Sequence, residues 1–142
     1  MPLINFGSIM NFAEEIENQD MSFYQAAAGN PACVAMKALF EQFAKDCKKN
    51  VQNAQRTRRE NVTEMILEGI EGFYRAPFIE KSEDGSSMDV DAVMETAKRL
   101  ENRAIRYYQE SSEKMKALSE VSRALKTMGK KHAAHLKKIE AL

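Results

Sequence analysis

The chain of 142 residues has no tryptophan, two cysteines, two histidines, three prolines and six glycines, and its 21 basic side chains balance its 21 acidic ones. Each shortage excludes something. Two cysteines, Cys33 and Cys47, cannot build a disulfide framework, and there is no Cys-x-x-Cys clip. A zero balance of charge gives no electrostatic reason to expect nucleic acid or an anionic membrane as a partner. No apolar run approaches the roughly 20 residues that cross a bilayer. The stretch Met1-Pro2-Leu3-Ile4-Asn5-Phe6-Gly7 lacks the basic start and apolar core of a secretory signal, so a cytoplasmic, reducing setting is expected. Few prolines and glycines leave long uninterrupted segments, which favours helices.

What is present fits one amphipathic domain over 1–142, since 44% of the residues are hydrophobic and 30% charged. Apolar residues at three- and four-residue steps predict a helix from a Ser8 cap to about Ala28, carrying Ile9, Phe12, Ile16, Phe23 and Tyr24 inward. Asn30 before Pro31 reads as the cap of a second helix, which runs to about Arg59 with Phe40, Phe43, Cys47 and Ala54 inward. The turn between them is short, so the two lie antiparallel. Residues 61–88 break the pattern and read as a crossover, with a helical turn or two between Val62 and Tyr74. A third helix starts at Asp89 or Asp91 and reaches about Lys116, and a fourth starts on a Ser119 cap, with Val121, Leu125, Met128, His132, His135 and Ile139 inward. The expected fold is an all-α four-helix bundle, two helical hairpins joined by a long crossover.

The hairpins also repeat. Ile16-Glu17-Asn18 and Phe23-Tyr24-Gln25 match Leu100-Glu101-Asn102 and Tyr107-Tyr108-Gln109 at an offset of 84. At an offset of 85, Phe40, Phe43, Ala44, Lys45, Cys47 and Asn50 match Leu125, Met128, Gly129, Lys130, His132 and His135. A pseudo-twofold bundle then sets Glu17 opposite Glu101, and Cys47 with Asn50 opposite the histidine pair. Carboxylates and imidazoles on apolar stripes need a partner, because burying them alone is costly. His132 and His135 stand at i and i+3 on one helix face, a spacing that lets two nitrogens reach one cation.

A Glu six residues before an aromatic-Tyr pair on helices one and three, with a histidine on the fourth, resembles the di-iron pattern of the ferritin-like superfamily, and its rubrerythrin branch in particular. The resemblance spans nearly the whole chain and rests on Glu17 with Phe23-Tyr24, Glu101 with Tyr107-Tyr108, and His135. It implies a ferritin-like bundle, iron, redox or peroxide chemistry, and a homodimer. Three of the six family ligands are replaced. The fourth-helix glutamate position holds His132, and the second-helix Glu-x-x-His reads Cys47-Lys48-Lys49-Asn50. With two bridging carboxylates gone, an ordinary di-iron site is not expected. Glu17, Glu101, His132 and His135 make a set suited to iron or zinc, with Cys47 and Asn50 as additional candidates and Tyr24 and Tyr108 reaching the polar centre behind them. No four-cysteine rubredoxin module is present, so a peroxidase-type activity would need an external electron donor.

Other readings stand beside this one. The bundle could be metal-free and non-catalytic, acting through protein contacts, with its glutamates hydrogen-bonded to core tyrosines and histidines. Cys47 reads either as a small buried hydrophobe, as a ligand, or as the nucleophile of a thiol enzyme. Cys33 falls in a first helical turn, where the helix dipole lowers a thiol pKa, but it has no redox partner in sequence. The basic residues of the second and fourth helices read as solvated outer faces.

Overall fold

The computed structural model describes Leu3, residues 5–61 and residues 70–142. Four helices make up the bundle: α1 (Phe6–Ala28), α2 (Lys37–Glu60), α3 (Val90–Lys114) and α4 (Ser119–Glu140). Their pairing follows the expected plan, with α1 packed along α2 and α3 along α4. None of the described helices is long and apolar enough to cross a membrane.

The helix ends differ from the sequence expectation in ways that capping chemistry explains. α1 begins three residues earlier than expected because Asn5 is its cap: the Asn5 side chain accepts from the Ser8 amide at 2.8 Å, and Ser8 Oγ accepts from the Asn5 amide. Ser8 is thus the reciprocal partner three residues in. Asn30 caps a 3-10 segment, Pro31–Met36, and α2 starts only at Lys37. Asn30 has a second task, since its Nδ2 donates to the carbonyls of Gly85 and Met88 and pins the end of the crossover to the α1–α2 turn. Cys33 lies in this 3-10 segment with non-helical φ and ψ, buried, and burial raises its thiol pKa, so the expected dipole effect is reversed. Asp89 caps α3 by accepting from the Ala92 amide, and α3 stops at Lys114, before the expected Lys116. Ser119 is the first residue inside α4, which starts without a side-chain cap among the described residues.

Pairings across the core fix the directions. Tyr107 Oη donates to Ile9 O, Arg103 to Asp20, and Tyr24 Oη to Glu101, so residue numbers rise along α1 as they fall along α3. α1 is therefore antiparallel to both α2 and α3, and α2 and α3 are parallel. The 24 residues of α2 rise about 36 Å, the length over which the crossover must return. Part of the helical turn expected between Val62 and Tyr74 lies at 62–69, outside the described residues. The rest, from Ile70, is not helical, because Gly72 takes a φ of 71°, in the left-handed region. Phe73 and Phe78 instead tuck into the core, and Arg103 Nη1 donates to Phe78 O at 3.0 Å.

The repeat is three-dimensional as well. A surface groove lined by Met21, Gln25, Ala28, Glu41, Ala44 and Lys45 has its counterpart in one lined by Ile105, Gln109, Ser112, Lys126, Gly129 and Lys130, the same positions at offsets of 84 and 85. The core falls into two apolar clusters. One joins Phe6, Ile9, Phe12 and Ile16 to Tyr107, Leu125 and Met128, and the other joins Phe23, Phe40 and Phe43 to Val93, Leu100 and Ile139. A fully buried polar layer lies between them.

Candidate metal centre

Each helix contributes to that layer. Glu17 and Asp20 come from α1, Asp46, Cys47 and Asn50 from α2, Glu101 and Arg103 from α3, and His132 and His135 from α4. Glu17, Asp20, Glu101 and His132 are 0% exposed, and Arg103 is 1%. Every site residue named from sequence is present here, brought together by helices up to 115 positions apart in the chain.

His132 occupies the middle. Its Nε2 lies 2.8 Å from Glu17 Oε2, and its Nδ1 lies 3.2 Å from both oxygens of Glu101. Both ring nitrogens face carboxylates, so the ring is an imidazolium bridging the two expected glutamates. Burial opposes that charge, but Glu17 and Glu101 outweigh it and raise the His132 pKa well above the usual value. The converse holds at Glu101: burial acts upward, yet His132 and His135 pull the carboxyl down to about 2. The Tyr24 hydroxyl donates to Glu101 Oε1 at 3.0 Å, and Tyr108 donates to Glu17 Oε2 at 2.5 Å, as both were expected to do from behind the site. Asn50 Nδ2 adds a third bond to Glu17 Oε2 at 3.2 Å. Burial first, then the neighbouring carboxylates, raise both tyrosines well above their usual pKa, so the hydroxyls remain donors.

His135 is set differently. Its Nε2 lies 2.9 Å from Asp46 Oδ2, within hydrogen-bond reach, while Nδ1 lies 3.1 Å from Glu101 Oε2. That short separation does not meet hydrogen-bond geometry, and Nδ1 is a buried nitrogen without a hydrogen-bond partner among the described residues. Phe43 stacks on the ring at 4.0 Å between centroids, and Tyr108 stacks on His132 at 5.8 Å, which holds both imidazoles in place.

Three residues of the layer were not anticipated from sequence. Asp46 orients His135. Asp20 and Arg103 form a buried ion pair at 2.8 Å, and Arg103 also donates to Gln19 Oε1. Burial raises Asp20 to about 7, against the opposing pull of Arg103 and His132. Its Oδ2 is without a partner among the described residues and lies 4.0 Å from His132 Nδ1. The signal for Asp20 was available: it stands three residues after Glu17, between Ile16 and Phe23 on the same stripe.

The donor set fits a cation. Glu101, His132 and His135 each offer a ligand atom within 4.8 Å of the others, and so do Glu17, Cys47 and His132. The 3.1 and 3.2 Å separations in the first group match the edges of a coordination polyhedron built on bonds of about 2.0–2.2 Å. Three buried atoms, Glu17 Oε1, Asp20 Oδ2 and His135 Nδ1, have no protein partner among the described residues, at a cost of about 1–3 kcal/mol each. The thiol-enzyme reading is not favoured, because burial and the charges of Glu17, Asp20 and Glu101 push the Cys47 thiol well above its usual pKa.

No family model matches the chain, and no curated protein or solved structure matches it.

Proposed function

We propose that the protein is a metal-binding helical bundle that holds one divalent transition ion through Glu101, His132 Nδ1 and His135 Nδ1. The observation that carries this reading is His135. Its Nε2 stands on Asp46, and its Nδ1, without a hydrogen-bond partner among the described residues, lies 3.1 Å from Glu101, the arrangement by which a carboxylate fixes the tautomer of a metal-ligating histidine. His132 adds a second nitrogen, with Nε2 held by Glu17 and Nδ1, 3.2 Å from Glu101, giving up its proton to the ion. In this reading Glu17 orients His132 rather than serving as a fourth ligand of that ion. Two imidazoles and one carboxylate with an open position suit ferrous iron or zinc. The resemblance to rubrerythrins adds redox or peroxide chemistry with an external electron donor, and a homodimer, as the wider hypothesis.

Equilibrium dialysis of chelator-treated protein against ferrous iron under anaerobic conditions, or against zinc, is expected to return at least one tightly held ion. His135→Ala and Glu101→Ala abolish it, and Asp46→Ala weakens it about 10–100-fold. At ion concentrations of about 1,000 Kd the wild type gains about 4 kcal/mol, a rise in Tm of roughly 10 °C. Less than a tenth of an equivalent bound, with an unchanged Tm, overturns the reading. That outcome favours the metal-free bundle, for which the specific observation is that the His132 imidazolium already stands between the two glutamates as the layer's own cation.

A further inference from the structure

We propose a second cation site on the opposite nitrogen of His132, formed by Glu17, Cys47 and His132 Nε2, so that one imidazole ring bridges two ions. The proposal rests on the first site, whose ion takes Nδ1, and adds to it the residues that the first site leaves unused.

Four observations support it. Glu17, Cys47 and His132 present ligand atoms within 4.8 Å of one another, all three fully buried. Glu17 Oε1 is a buried carboxylate oxygen without a hydrogen-bond partner among the described residues. Only a proton now joins His132 Nε2 to Glu17 Oε2 at 2.8 Å, and a cation can take its place. Finally, Asn50 and Tyr108 both hold Glu17 Oε2, which fixes the carboxylate and leaves Oε1 free to ligate.

The charge balances. A dication enters, one proton leaves His132 Nε2 and one leaves the Cys47 sulfur, and both pass to solvent. The net charge of the buried layer is unchanged. Thiolate and imidazole donors select a borderline or soft divalent ion such as zinc, cobalt or copper over magnesium or calcium. The two sites then follow the repeat. Glu101 with two histidines serves one ion, and the equivalent Glu17 with Cys47, which occupies the His132 position of the first hairpin, serves the other through a shared ring.

Titration of chelator-treated full-length protein with cobalt(II) under reducing conditions tests this. Two equivalents are expected. The second alone brings a near-ultraviolet thiolate-to-cobalt absorption and releases two protons, so its affinity rises about 100-fold per pH unit while both groups are protonated in the free site. Cys47→Ser is expected to bind one equivalent with the first step unchanged and no thiolate band. That retained first step also shows that the variant folds. One equivalent in the wild type without a thiolate band overturns the second site and leaves the first standing. Two equivalents that persist in Cys47→Ser also overturn it, since the second ion then sits elsewhere. Failure to bind any cobalt overturns both.

Discussion

At the centre of the α3–α4 hairpin stand Glu101, His132 and His135; at the equivalent positions of α1–α2 stand Glu17, Cys47 and Asn50. The paired helices and the matched outer grooves are shared, while the turns differ, a 3-10 segment at Pro31–Met36 in one hairpin and a short link at 115–118 in the other. The second hairpin supplies a carboxylate and two imidazoles with candidate ligand atoms within 4.8 Å of one another. The first supplies the hydrogen bonds that aim them, from Glu17 to His132 and from Asp46 to His135. A second asymmetry ties the halves together. Asp20 has Ala104 at its equivalent position and Arg103 has Gln19, so the first hairpin's extra anion pairs with the second hairpin's extra cation.

Breaking that tie has the largest expected effect. Arg103→Met leaves Asp20 buried without its counter-charge and removes the bonds to Gln19 and Phe78, and urea denaturation is expected to show a loss of about 3–5 kcal/mol. The double variant Arg103→Met/Asp20→Leu recovers most of it, because an apolar pair of similar volume carries no desolvation cost. A double variant no more stable than the single one would show that the pair is not what joins the hairpins there.

The two acids titrate in opposite directions, which sharpens the contrast. Glu101 is lowered to about 2 in the folded protein, so its contribution is complete above pH 4.5 and is lost as pH falls toward 2. Asp20 is raised to about 7, so its contribution is complete below its unfolded value of 3.8 and is lost as pH rises through 7. His132 is raised also, and its contribution, complete below 6.5, is lost as pH rises through the folded value. Metal-free protein is therefore expected to be most stable near pH 4–5 and to lose stability from pH 6 to 8. Protein saturated with metal has the opposite slope over pH 6–8, because its ligands must shed protons to bind. Urea midpoints measured at each pH, with and without zinc, check the sign. Parallel slopes would mean that the ion does not displace protons from this layer.

Much of this layer is legible in the sequence, for reasons that also explain what is not. Helix existence follows from periodicity, which each segment carries by itself, and Glu17, Glu101, His132 and His135 are conspicuous because charge on an apolar stripe demands a partner. Arg103 and Asp20 stand on the same stripes, between Leu100 and Tyr107 and between Ile16 and Phe23. What the sequence does not carry is their pairing, which depends on the antiparallel setting of helices 83 residues apart. The role of Asp46 is hidden for a different reason: it lies at the margin of its stripe, beside exposed Lys45 and Lys48, and only the approach of α4 turns it from a surface acid into the anchor of His135. Asn30 and Asp89 cap as expected, whereas Ser8 proves to be the reciprocal partner of the Asn5 cap three residues before it, and Ser119 lies inside α4, whose flanking Leu118 makes no side-chain cap bond.

The smallest expected effect comes from where the hairpins match most closely. Gly129 and Ala44 are equivalent, yet a methyl group added at Gly129 would lie 2.9 Å from Tyr108 Cβ, closer than real Cβ contacts allow. A Cβ cannot rotate away, so α3 and α4 must separate. Tyr108 carries the bond to Glu17 and the stack on His132, and both would shift with it. Gly129→Ala is expected to cost about 1–3 kcal/mol despite its better helix propensity, and to weaken cation binding as well. Ala44→Gly, the reciprocal change, is expected to cost about 1–2 kcal/mol through chain entropy and the loss of a buried methyl group, and to leave cation affinity unchanged. Denaturation midpoints and zinc affinities for the two variants measure the difference. Equal stability losses with equal affinities would mean that close packing at Gly129 does not position the ring that holds Glu17, and that the two hairpins are interchangeable at this point.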